Sequence, residues 1–526
     1  MKTQLAGLVI AFAGAGALAT EATLLDAVES GNRSAALKML AEGSDARERG
    51  PDGTTALTWA VHHGDVELVQ RLIKAGADVT AANDFGASAI SEAATIGSAP
   101  IIEALLDAGA DVNFANPEGE TPLMVVSRTG NVEAAALLVK AGAEINATER
   151  WAGQSALMWA AAQSQPEMVK FLVANGADVD ARGAIRNWQR KVIAEPRPKD
   201  MNRGGFTPLL YAAREGCIEC AKHLLEGGAD PDLADPERVT PLNLALTNLH
   251  FDFAVYMIGA GANVDRWDFF GRTPLYMAAD VNTLPTQGNG AMSYIPSLDT
   301  ATAVDVARLL LEKGANPNIQ LKRRPPYLNV PQDRGGDTIL SQMATPLLRA
   351  ARAGDAEIVK LLLEHGALVD LPSAYGVTPL MAAAGVEYGL RVTRGRLRTE
   401  EGVLATLQLL VDAGADINAR MVTEANSGLI YQGASRRADF SYNSRGRQVP
   451  GPAATAHRTA LHGAALKGFN SIVELLAANG ADLHAKDANG RTPIDLAMGR
   501  YEEDFLRQAA EPHVETVALL EKLMAD

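Results

Sequence analysis

The only two cysteines of the chain, Cys217 and Cys220, stand together in REGCIECAKHLL. A C-x-x-C pair at a helix start is chemically suggestive, because a helix N-terminus lowers a thiol pKa. A structural zinc site would need further thiolate or imidazole ligands at suitable spacing, and there is no other cysteine. No His follows Cys220, so covalent haem attachment is unsupported, and the βαβ context of a thioredoxin-like redox motif is missing. Two states stay open for the pair: a local disulfide, which an oxidising compartment favours, or two thiols. His62-His63 falls in an inter-helix turn and reads as solvated. Gly288-Asn289-Gly290 is a lone G-x-G with no strand before it, and G-x-S-x-G, H-E-x-x-H and P-loop patterns do not occur. No residue is assigned to catalysis, to a metal or to a cofactor, and the chain reads as a non-enzyme.

A second set of residues suits binding rather than reaction. Five stretches, about 182–204, 281–302, 318–343, 386–401 and 419–457, break the regular pattern of the chain. The stretch 182–204 carries seven Lys or Arg against two acids. Its candidate contact residues are Arg186, Trp188, Arg190 and Lys191. The stretch 318–343 offers Arg323, Arg324 and Tyr327 beside Lys322. The stretch 419–457 offers Tyr431, Arg436, Arg437, Phe440 and Tyr442, and the 386–401 loop adds four arginines. Arg and aromatic side chains dominate interface energetics. These are basic projections on a chain whose net charge is −15, which points to an acidic protein partner. The same acidity argues against general nucleic-acid binding, which needs a basic surface. Two blander readings stand beside this one: the loops fold back and pack on the body, or they are solvated linkers that a repeat protein tolerates.

Whatever these loops do, a regular body must hold them. Thr or Ser, then Pro or Ala, then Leu or Ile recurs from Thr55, Ser88, Thr121, Ser155, Thr207, Thr240, Thr273, Thr345, Thr378, Thr459 and Thr492. Most intervals are 33 residues; the long ones are 52, 72 and 81. A Gly-Ala pair follows ten of these copies, 21 residues after the Thr or Ser in all but two of the ten. The physics of one unit accounts for the spacing. Thr378 suits an N-cap and Pro379 the first helical position, where the missing N–H costs nothing. A Gly-containing turn at Arg352-Ala353-Gly354-Asp355 reverses the chain. The next helix buries Ile358, Val359, Leu361, Leu362 and Leu363 and turns Glu357, Lys360 and Glu364 outward. Gly366 ends it. Such a unit cannot bury its apolar face alone, so it must stack on its neighbours.

Segments such as TPLMVVSRTGNVEAAALLVKAGAEIN and TPLLRAARAGDAEIVKLLLEHGALVD resemble the ankyrin family, with its T-P-L-H-x-A and G-A-D-x-N signatures. The family's His survives only at His462; Met124, Met158, Leu210, Tyr276 and Met381 stand in its place elsewhere. In the family that His helps hydrogen-bond neighbouring repeats, so its loss implies more apolar packing. The resemblance implies an all-α solenoid of about twelve helix-turn-helix repeats, counting a degenerate first one from Ala22. It places the insertions at 182–204, 318–343 and 419–457 at the β-hairpin fingers of repeats 5, 8 and 10, beside the concave face that family members use for binding. The other two insertions fall between the helices of a repeat.

The ends fit an exported chain. Lys2 precedes an apolar run, Leu5 to Ala17, too short to span a bilayer, and Ala17-Leu18-Ala19 matches a signal-peptidase site. The expectation is a signal peptide at 1–19, with an N-terminal membrane anchor as the other reading, and a single repeat domain over 20–526. The functional expectation is a monomeric, non-catalytic protein-binding scaffold of the bacterial periplasm, without stable membrane insertion. The alternatives are a secreted effector that binds a host protein and an enzyme whose site is built from the inserted loops.

Overall fold

The structure is a computed structural model. It describes residues 23–189, 200–283, 297–323, 343–386, 399–422, 440–442, 448–450, 456–499 and 511–525. At 187–189, 200–203, 440–442 and 448–450 the description is of the backbone. Residues 1–19, where a signal peptide is expected, lie outside it. Contacts divide the chain into two compact units, Met1–Trp151 and Ala152–Asp526.

Twelve helix pairs lie among the described residues, four in the first unit and eight in the second. Repeat 9 illustrates the local chemistry. Thr345 caps Pro346–Ala353 by accepting from the Leu348 N–H at 3.0 Å, with Pro at the first turn. Asp355 caps Ala356–Glu364 by accepting from the Ile358 N–H. That helix ends as a Schellman motif: the Ala367 N–H donates to the Leu362 carbonyl and the Gly366 N–H to that of Leu363. Gly366, at φ +83°, takes the left-handed position. The interior is Leu, Ile, Val, Met and Ala, with Leu362, Val359 and Ile358 fully buried. Met124, Met158, Leu210, Tyr276 and Met381, which replace the expected His, are all buried.

Helical turns also carry polar links to the next repeat. Asn113 donates to the Gly142 carbonyl and accepts from the Glu144 N–H. Asn318 does the same with Gly366 and Leu368, and Asn418 with Gly480 and Asp482. Asp180 accepts from the Asp230 N–H. The last three links each step across one of the long insertions, so the chain leaves and rejoins the stack without a gap in it.

The loops after the second helices form a further ladder. The Asp84 N–H donates to the Asp52 carbonyl and the Arg150 N–H to Glu118 in the first unit. In the second unit Ala184 donates to Ala152, Phe269 to Glu237, Lys322 to Phe270, Val422 to Tyr375 and Ala488 to Ala456. Pro117 and Pro236 occupy the corresponding position in two repeats and have no N–H to give. The all-α body carries two short antiparallel ribbons, both inside insertions. Strand β1 (Ile185–Gln189) pairs with β2 (Asp200–Gly204), and β3 (Phe440–Tyr442) with β4 (Gln448–Pro450).

Candidate functional site

The most complete candidate site lies where the insertion of repeat 8 leaves the stack. Finger residues alternate in and out from Trp267 to Phe270. Asp268 and Phe270 are buried, while Trp267 and Phe269 stay partly exposed. Asp268 organises the turn: one carboxylate oxygen accepts from the Phe270 and Arg272 N–H groups at 2.9 Å each, and the other accepts from the Arg272 guanidinium at 2.7 Å. Gly271 sits at φ +86°, and a Cβ there would fall 2.5 Å from the Lys322 nitrogen. Glycine therefore serves both the turn and the close approach of the next finger. Lys322 and Arg323 both donate their N–H to the Phe270 carbonyl, at 2.9 and 3.0 Å. Their side chains then fall on the rings. Lys322 Nζ lies 3.6 Å from the Trp267 ring centroid and Arg323 Cζ 4.0 Å from that of Phe269. Both cations are exposed.

Of the sequence-predicted contact residues, Arg323 lies on the Phe269 ring. Arg186 is half-buried in β1, where Trp188 stands opposite Met201. Phe440 stands opposite Pro450 and Tyr442 opposite Gln448 in the β3–β4 ribbon. Arg190, Lys191, Arg324, Tyr327, Tyr431, Arg436 and Arg437 lie outside the described residues. Trp267 and Phe269 were missed. They sit in a finger of ordinary length, in RWDFFGR, outside the long insertions.

The root of the 182–204 insertion is held by the Arg182 guanidinium, which donates to the Gly205 carbonyl at 3.2 Å. Beside it, Arg214 lies over the Tyr211 ring at 5.0 Å, and Tyr211 is hydrogen-bonded to Gln154. The sulfurs of Cys217 and Cys220 are joined. Cys217 is the N-cap of Ile218–Glu226, the place held by Asp355 in repeat 9, and Cys220 is fully buried. His62 closes the helix Ala56–His62, and its Nδ1 meets the Glu92 carboxylate at 2.7 Å. Among the described residues no group of three or more His, Cys, Asp or Glu could hold a metal ion, and no helix is long and apolar enough to cross a membrane.

A family model described as ankyrin repeats in three copies matches residues 24–116, 90–183, 209–321 and 327–421, and a single-repeat model matches 457–488. The chain belongs to the ankyrin-repeat family. Palmitoyltransferase ZDHHC13 of Mus musculus is 28% identical over 254 residues, 48% of this chain and 32% of that protein. The B-cell lymphoma 3 protein homolog of Mus musculus is 31% identical over 315 residues, 59% of this chain and 52% of that protein. The chain thus spans a third to a half of the length of these relatives. The human ASB11 ankyrin repeat domain, a solved structure, matches 46% of this chain and 98% of its own length at 21% identity, with a TM-score of 0.38. Ankyrin repeats are typically a non-catalytic, protein-binding framework.

Proposed function

We propose that the chain is a non-catalytic scaffold of the bacterial periplasm that holds an acidic protein partner, using its inserted fingers and the concave face beside them. The observation that carries this reading is the root of the repeat 8 finger, where two exposed cations are fixed on aromatic rings of an otherwise acidic chain. The intact links across all three finger insertions support it too, because they let long loops project from a stack that stays whole. The apolar run from Leu5 to Ala17 and the small-residue site after it support export. The catalytic names of some relatives belong to proteins that this chain matches over a fraction of their length.

The test is capture from native periplasm with the full chain and with three variants, each replacing 182–204, 318–343 or 419–457 by the short finger of repeat 9. The expected result is one partner, acidic in composition, that is lost with at least one exchange while thermal melting is unchanged. Capture that survives all three exchanges refutes the finger reading. Fractionation should recover the protein from the periplasm; recovery from culture supernatant favours the secreted alternative.

A further inference from the structure

We propose that Lys322 and Arg323 form a preorganised receptor for two neighbouring carboxylates on an acidic segment of a partner protein. This deepens the scaffold reading above and rests on it. Four observations converge on the site.

The first is that the two cations have no carboxylate partner among the described residues. Other basic side chains at finger tips are spent within the fold: Arg272 on Asp268 and Arg491 on Asp487. Lys322 and Arg323, both exposed, make no ion pair among the described residues. The second is their confinement. A free lysine or arginine loses rotamer entropy when it binds, and much of an interface's cost lies there. Here the backbone of both residues is tied to the Phe270 carbonyl and both side chains rest on rings, so part of that cost is already met.

The third is what stacking leaves available. A guanidinium lying against a ring face keeps its N–H donors at its edge, in the fork that matches a carboxylate. An ammonium over an indole keeps N–H donors for the solvent side. Contact with the rings therefore does not exhaust either group. The fourth is rigidity from below. Buried Asp268 holds the turn through two backbone amides and Arg272, and Phe270 is packed beneath. Two cations on adjacent residues call for two carboxylates close together. A protein segment rich in Asp and Glu supplies that without the dense continuous charge of a nucleic acid, which a chain of net charge −15 repels.

The experiment uses the full chain and a fluorescein-labelled octaglutamate peptide, followed by anisotropy at low salt. The expected result is saturable binding that weakens at least tenfold in the double variant Lys322→Gln, Arg323→Gln. It should weaken several-fold in Trp267→Leu, which keeps both charges and removes one platform. The double variant Lys222→Gln, Lys360→Gln, an equal charge change at two exposed helical lysines, should leave the affinity unchanged. Incorporation of 5-fluorotryptophan gives a local reading: the Trp267 resonance, assigned by its loss in Trp267→Leu, should shift on titration. Circular dichroism melting of each variant identifies any that fail to fold, and the fluorine shift in the unmodified chain needs no variant to fold.

No binding of octaglutamate by the wild-type chain overturns the proposal. So does equal affinity in the double variant, a Trp267 resonance that does not move, or tighter binding of an eight-nucleotide DNA. These outcomes leave the scaffold reading standing if finger exchange still abolishes capture, whereas capture that survives every exchange removes that reading separately.

Discussion

Acid should loosen the end of the stack near repeat 11 through a single imidazole. His462 is fully buried. Its Nδ1 accepts from the Thr459 N–H at 3.1 Å and lies 2.9 Å from the Thr459 hydroxyl, while Nε2 donates to the Arg491 carbonyl at 3.2 Å. The proton is assigned to Nε2 from these partners, since an amide N–H faces Nδ1. Burial pushes the His462 pKa down from 6.5 to about 4, against the smaller pull of the Arg491 carbonyl and Asp487. Protonating Nδ1 would also set it against a donor. Above pH 6.5 the ring is neutral both folded and unfolded, and it contributes no pH dependence. Between pH 6.5 and about 4 the unfolded chain takes up a proton that the folded chain refuses. Stability then falls by about 1.4 kcal/mol per pH unit, or about 3 kcal/mol across the window. The comparison is with His462→Gln, a neutral side chain that keeps a donor for Arg491. Urea unfolding of both proteins from pH 7.5 to 4 is followed by hydrogen exchange of peptides within 456–499, because a repeat array can open locally. Carboxylates titrate in both proteins and cancel in the difference. The variant should be the less stable at pH 7.5, and its deficit should shrink by about 3 kcal/mol by pH 4. Parallel curves across that window would refute the burial argument.

Two further predictions concern the finger of repeat 7 and the one that follows it. Gly271→Ala and Gly366→Ala both place a side chain at positive φ, but a Cβ at Gly366 meets nothing within 4 Å and one at Gly271 meets the Lys322 nitrogen. Urea unfolding should show a loss of about 1 kcal/mol for Gly366→Ala from conformation alone. Gly271→Ala should lose about 1–3 kcal/mol more, because it also displaces the next finger; equal losses would mean that the close approach has no energetic role. Asp268→Asn keeps an acceptor for the two amides but sets an amide group against the buried Arg272 guanidinium. It should cost about 3 kcal/mol, and a change under about 1 kcal/mol in the same assay would show the pair to be dispensable.

The repeat was legible in the sequence because its determinants are local. Thr345 before Pro346, Asp355 before an amphipathic run and Gly366 after it each fix a helix end within a few residues. Insertion boundaries followed from the lost period. The chemistry at the finger root was not legible for a topological reason. Trp267 and Lys322 are 55 residues apart, yet adjacent in space, because repeat 8 carries an insertion between its helices as well as one in its finger. A search for cations and rings within one loop misses a site whose rings come from the preceding short finger. In-phase comparison of finger tips finds aromatic residues at Phe85, Phe270 and Tyr375, but Trp267 and Phe269 hold the places of Ala82 and Asp84, so the period does not single them out. The two states left open for Cys217 and Cys220 reflect a similar ambiguity: the spacing fixes N-cap and third helical position, which suits a bond and equally suits two thiols.

The insertions place cost and use on different parts of the molecule. Closing a longer loop costs only about 0.6 kcal/mol per doubling of its length. The links at Asp180, Asn318 and Asn418 hold repeats together across the three fingers whatever the fingers contain. Finger sequence is therefore only weakly coupled to the stability of the stack, and it can change for the sake of a partner while the core residues cannot. The root of each finger is the exception, because it belongs to both. Lys322 donates its N–H to the ladder and its side chain to the Trp267 ring, so a change there is felt in the fold and at the surface together. Side-chain substitutions that leave the ladder bond in place, such as Lys322→Gln, separate the two roles, whereas Gly271→Ala, which strikes the backbone contact, should disturb both at once.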